Sequence, residues 1–162
     1  MEAPQSFSGE PVKFTMAPRP LHWVFKVSDL KKSVEMLTLL GARILRHEEF
    51  ESGCEATCNG PYSGWWSKTM VGWENEDKSF VFELTYNYGV LSYERGNDLA
   101  AIEMYRQNSE GVDMYELLKT KFADDIVVDK DDESLLRIIN GDFPFKFIDG
   151  KAPSAQLIRG IS

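Results

Sequence analysis

The chain has 162 residues, 43% of them hydrophobic and 12% aromatic, enough apolar material for one substantial core and too much for a disordered polymer. Its formal net charge of -8 argues against nucleic-acid and anionic-membrane partners, both of which call for a basic face. No apolar run approaches the ~20 residues that span a bilayer, and the N-terminus lacks the basic start and apolar core of a secretory signal. The expected location is intracellular, in the cytoplasm, with the mitochondrion as the alternative compartment.

In chain order, residues 1–18 carry Pro4, Pro11 and Pro18 with little apolar periodicity and read as a flexible lead-in. A strand is expected at about 20–27. Ser28 or Asp29 then caps a helix whose Leu30, Val34, Leu37 and Met36/Leu40 recur at helical spacing, and Gly41 stops it. Residues 42–50 read as a second strand. Residues 51–67 form a long Gly-, Asn-, Pro- and aromatic-rich loop, followed by strands at about 68–74 and 79–88 around the Glu74-Asn75-Glu76-Asp77 turn.

The second half repeats this order: a strand over 98–106, a helix over 109–122 with Val112, Tyr115, Leu118 and Phe122 on one stripe, and short strands at 126–128, 135–139 and 143–148. Asn140-Gly141-Asp142 supplies a hairpin turn. The fold class is therefore α+β, two βαβββ modules (about 19–91 and 96–152) that pair into an incomplete eight-stranded barrel, with 153–162 as a C-terminal tail.

The chemistry-bearing residues are few. Cys54 and Cys58 are separated by three residues, not two, with no second Cys/His pair downstream, and read as reduced structural thiols. With His22 and His47 the only histidines, a metal site must lean on carboxylates. In the strand from Phe82 to Tyr88, Glu83, Thr85 and Asn87 alternate with Phe82, Leu84 and Tyr86. In the first strand His22, Val24 and Lys26 share a face. An acid and an amide on one strand face either meet water or hold something. His22 thus reads either as a metal ligand or as a half-buried histidine bonded to Glu83. His47 beside Glu48 and Glu49 reads as an exposed strand-end residue, Lys68 as facing solvent, and the acidic runs at 124–125 and 129–133 as solvated loops. The Gly60–Trp66 loop either lids a cavity or packs on its own aromatics, packing being the favoured reading.

His on the first strand and Glu on the fourth of two βαβββ units resemble the vicinal oxygen chelate superfamily, and within it glyoxalase I. Glu83-Leu84-Thr85-Tyr86-Asn87-Tyr88-Gly89 is similar to the family's Glu-Leu-Thr-His-Asn-Trp-Gly. Leu45-Arg46-His47-Glu48-Glu49-Phe50, Cys58-Asn59-Gly60-Pro61-Tyr62, Trp66-Ser67-Lys68-Thr69-Met70-Val71-Gly72 and Gly96-Asn97-Asp98 resemble the animal glyoxalase-domain-containing protein 4 group. The resemblance implies zinc or nickel held by one ligand from each of four strands. His22 and Glu83 match two of those positions, whereas the third falls on Leu99 and the fourth, which is also the general base, on Ile148. Glu103 is the weak rescue. The resemblance also implies glutathione contacts at Lys26, Asn87 and Arg95, with Lys26 replacing an Arg and losing its bidentate fork.

The expected function is that of a glyoxalase I-like domain with an incomplete metal site. It would bind a small anion such as a glutathione conjugate, as a binding or regulatory module with no metal. The alternative is a metal-dependent lactoylglutathione lyase-type enzyme of methylglyoxal detoxification, its site completed by a homodimer partner or a second glyoxalase-like domain.

Overall fold

The computed structural model describes residues 20–53, 64–94, 96, 99–138 and 143–161. The first half runs β1 (His22–Val27), α1 (Leu30–Leu39), β2 (Arg43–Phe50), β3 (Trp66–Gly72) and β4 (Val81–Asn87). The second runs β5 (Ile102–Gln107), α2 (Met114–Lys121), β6 (Ile126–Val128), β7 (Leu135–Ile138), β8 (Phe145–Lys151) and β9 (Ile158–Ile161). Two sheets result, ordered β1-β4-β3-β2 and β6-β7-β8-β5-β9. The order β5-β8-β7-β6 repeats β1-β4-β3-β2, and in both halves the opening strand runs parallel to the closing one. The fold is the expected α+β repeat of βαβββ units.

Local chemistry explains the boundaries. Asp29 caps α1 by accepting the Lys32 backbone N–H at 2.9 Å. At the other end Gly41 takes φ 90°, and the Trp73 indole donates to the Leu40 carbonyl at 3.0 Å, so an aromatic side chain satisfies one of the open helix carbonyls. Gly72, at the end of β3, is required for space: a Cβ there would lie 2.7 Å from Val81 Cγ1.

Three expectations are corrected. The second helix begins at Met114, not near Ser109. Asn108 Oδ1 accepts the N–H groups of Glu110 and Val112, Gly111 takes φ 90°, and Asp113 supplies the cap, so local side-chain bonds hold a loop where periodicity suggests helix. The strand expected from residue 98 starts at Ile102. The segment 153–162, expected as a tail, contributes β9, which pairs antiparallel with β5 and buries Leu157 beside it, making nine strands among the described residues rather than eight. Gly160 within β9 breaks the alternation that would reveal a strand. The lead-in 1–18 and the Asn140-Gly141-Asp142 turn lie outside the described residues.

The apolar face of each sheet meets a helix. Phe25, Val27, Phe82 and Leu84 are buried with Met36 and Leu37 of α1, and Ile102, Met104, Phe145 and Phe147 with Tyr115 and Leu118 of α2, in one continuous core. The other face of the first sheet is free to carry polar groups.

Candidate functional site

The register of the first sheet decides which residues share its second face. Val24 pairs with Glu83 and Lys26 with Thr85. Across β4, Asn87 pairs with Trp66, Thr85 with Lys68 and Glu83 with Met70. Across β3, Arg46, Glu48 and Phe50 pair with Met70, Lys68 and Trp66. His22, Lys26, Glu83 and Asn87 therefore stand on one face, together with a strip of β2 and β3 residues that single-strand reasoning does not reveal.

At one end of this face His22 Nε2 lies 3.6 Å from Glu83 Oε2, within ion-pair range when the imidazole is protonated. The His22 side chain is 42% exposed and that of Glu83 18%, so the carboxylate sits deeper than the ring. Lys26 is half-buried on the same strand. Asn87 is buried, and its Nδ2 donates to the Tyr93 hydroxyl at 2.9 Å. Neither Tyr93 nor this bond is signalled by the strand pattern, because it depends on how the chain turns after β4. Arg95 lies outside the described residues.

The positions expected to be degenerate behave as apolar groups. Leu99 packs against the core ahead of β5, outside any strand, so it shares no pleat with Glu103. Ile148 stands in β8 opposite Tyr105, and Glu103 pairs with Lys146. The resemblance implies a divalent metal, yet among the described residues no three or more His, Cys, Asp or Glu side chains gather into a group. A catalytic zinc takes three protein ligands and a water. The two donors His22 and Glu83 of one chain do not by themselves fit that need.

One surface assignment is corrected. Lys68 does not point into open solvent: its Nζ lies 3.1 Å from Glu48 and above the Phe50 ring, with Arg46 on the other side of Glu48 at 2.8 Å. The Lys68 bond holds the Glu48 carboxyl below its usual range, despite some desolvation. Phe50 stacks on Trp66 with centroids 4.3 Å apart, and the Trp66 indole donates to the Ser52 carbonyl, so this end of the aromatic loop is packed. Trp65 beside it is exposed. Gly60 to Ser63 of that loop, with Cys54 and Cys58, lie outside the described residues.

His47 is exposed as expected, but it is interior to β2 rather than at its end, and points to the helix side. Its Nδ1 lies 2.8 Å from the Thr69 hydroxyl and its Nε2 2.9 Å from Glu49. Glu49 also accepts the Tyr88 hydroxyl at 2.7 Å, which holds the Glu49 carboxyl low and the Tyr88 phenol high. A groove of about 680 Å³, lined by Leu30, Val34, Ile44, His47, Thr69 and Tyr86 among others, runs along this side, away from His22 and Glu83.

No protein-family model matches the chain. It is 58% identical over 88 residues to Glyoxalase 1 of Caenorhabditis elegans, covering 54% of this chain and 31% of that protein. It is 56% identical over 87 residues to Glyoxalase domain-containing protein 4 of Mus musculus, covering 53% of this chain and 29% of that protein. The chain thus spans about a third of the length of these relatives. Among solved structures it is similar to the trypanothione-dependent glyoxalase I of Leishmania major, with TM-score 0.59, 25% identity, and coverage of 82% of this chain and 87% of that one.

Proposed function

Since the chain is a glyoxalase I-like domain of the vicinal oxygen chelate superfamily, we propose that it is a ligand-binding or regulatory module rather than a self-sufficient lyase. The ligand class is a small, peptide-like anion such as a glutathione conjugate. The observation that carries this reading is that His22 and Glu83 form a pair without a third donor among the described residues, while the positions matching the family's other ligands are Leu99 and Ile148. Lys26 supplies a cation, Asn87 an amide and, from its place in the sequence, Arg95 a guanidinium. Glu83 and Asn87 are four residues apart on one strand, roughly 13 Å, about the reach of an extended tripeptide or slightly more. A carboxylate-bearing ligand lying along β4 can meet Lys26 and Asn87 while His22 and Glu83 receive or give a proton at its other end.

A second reading has its own support. Leu21, Trp23 and Val24, at the β1 edge of the sheet, are 54%, 44% and 46% exposed, an apolar edge that a second domain or subunit would cover. If the partner also brought acidic or imidazole groups, the site would be a metal-dependent lactoylglutathione lyase-type centre.

Metal content of the purified protein separates the two readings. The module reading expects no stoichiometric zinc or nickel, no thermal stabilisation by either ion, and stabilisation by S-methylglutathione that Lys26→Ala weakens. Stoichiometric metal, lost in His22→Ala and Glu83→Gln, would sink it and establish the lyase-type reading. No response to any of the three ligands would remove both.

A further inference from the structure

Trp66, Thr85 and Asn87, which stand together toward one end of the His22/Glu83 face, are buried, so the Asn87 end of the face is closed. The chain leaving β4 provides part of that closure. The Val90 N–H donates to the Asn87 carbonyl at 3.1 Å, and Gly89, the third residue of this turn, takes φ 82°. A positive φ at the third place of such a turn favours glycine or asparagine there. The turn reverses the chain, and the returning segment brings Tyr93 back over the strand it has just left.

Residues 90–94 have no regular structure. Leu91 is 84% exposed, Ser92 and Glu94 are exposed, and no heavy atom of the fold beyond the glycine's chain neighbours lies within 4 Å of a Cβ placed on Gly89. The segment is thus a lightly packed flap on a free glycine turn. One polar contact it makes with the strand is the bond from Asn87 Nδ2 to the Tyr93 hydroxyl. Its low burial sets it among the segments that open at small free-energy cost.

We propose that Tyr93 is a gating residue of the ligand site: its hydroxyl takes one of the two N–H donors of the Asn87 amide, and a ligand acceptor reaches that donor only when the flap releases it. This rests on the binding-module reading and adds to it the group with which the ligand competes. A ligand carboxylate is a stronger acceptor than a phenol oxygen, so the exchange is favourable once the anion is seated, and the phenol returns to water. The arrangement favours ligands with an anionic acceptor at the Asn87 end. A neutral analogue would exchange one neutral hydrogen bond for another and gain nothing by opening the flap.

Tyr93→Phe keeps the ring and removes the hydroxyl, so the competitor is lost while packing is retained. Calorimetric titration of S-methylglutathione should show affinity about threefold to tenfold tighter in Tyr93→Phe than in the wild type, the range expected for one neutral hydrogen bond. In an Asn87→Ala background the same change should have no effect, so the double-mutant cycle shows a coupling between the two residues. Without ligand, the Asn87 side-chain amide resonances in ¹⁵N-labelled protein should shift and exchange faster in Tyr93→Phe. Equal or weaker binding by Tyr93→Phe, with the wild type still binding, overturns the gate and leaves the binding module standing. Absence of binding by both proteins overturns the gate and the module together, and unchanged Asn87 amide resonances overturn the gate irrespective of ligand.

Discussion

The rings of Phe25 and Phe143 meet with centroids 5.1 Å apart, joining the first strand of one module to the segment that leads into β8 of the other. Phe25 also contacts Phe82, and Phe143 contacts Phe145, so the pair links the two halves of the core. Phe143→Ala should cost about 3–5 kcal/mol, the usual range for a buried phenylalanine. Because the two helices share this core, hydrogen exchange should show amides of α1 and α2 losing protection by the same free energy. Protection lost only in α2 would show that the modules open independently.

On the helix side of the first sheet, the carboxylate of Glu49 can only accept, so His47 Nε2 carries the hydrogen and the Thr69 hydroxyl donates to Nδ1. Thr69 is buried, and replacing it with Val removes that donor while keeping the shape. Thr69→Val should lower stability by about 1 kcal/mol in urea unfolding. In nitrogen NMR the Nε2–H tautomer of His47 should persist, because Glu49, which sets it, is untouched.

Gly72→Ala should be destabilising by about 1–3 kcal/mol, because Val81 is β-branched and cannot move a methyl aside without leaving its rotamer. Val81→Ala in the same protein should recover part of the loss. Thermal melts of the three variants decide it.

Acid should weaken the second module through Asp132. Ser134 and Lys146 hydrogen-bond this carboxylate and hold its pKa down at about 2. A depressed carboxyl contributes stability above its unfolded value of about 4, and that contribution disappears as the pH falls toward the folded value. Asp113, where burial works against the bonds from the Glu116 N–H and Arg106, is also held low and acts in the same direction. Urea midpoints should fall between pH 4 and pH 2, and Asp132→Asn should flatten the curve. Salt should reduce the difference, since both partners of the Asp132–Lys146 pair are over a third exposed.

The alternation of Glu83, Thr85 and Asn87 against Phe82, Leu84 and Tyr86 was enough to assign faces, since a buried core fixes which side of a strand is apolar. A helix cap at Ser28 or Asp29 and the Gly41 stop are equally legible, being local, and the structure gives the cap to Asp29. What escaped was information held between elements. Lys68 looks like a surface lysine until β2 is set beside β3 in a register that brings Glu48 and Phe50 to it. Asn108 and Gly111 delay α2 through bonds that apolar spacing does not record. Tyr93 meets Asn87 only because Gly89 turns the chain back. Leu99 and Ile148 were visible as aliphatic substitutions, but their distance from a common pleat was not.

The parallel pairing of β1 with β4 and of β5 with β8 also sets a timetable for self-assembly. Hairpins such as β3–β4 close over short loops, whereas His22 must find Val81, and Ile102 must find Phe145, across the helix and two strands of their own module. Closing so long a loop carries an entropic cost before any ladder bond forms, so each opening strand should zip in last. A nascent chain would thus hold its antiparallel strands early and keep the His22 strand unclaimed until the very end.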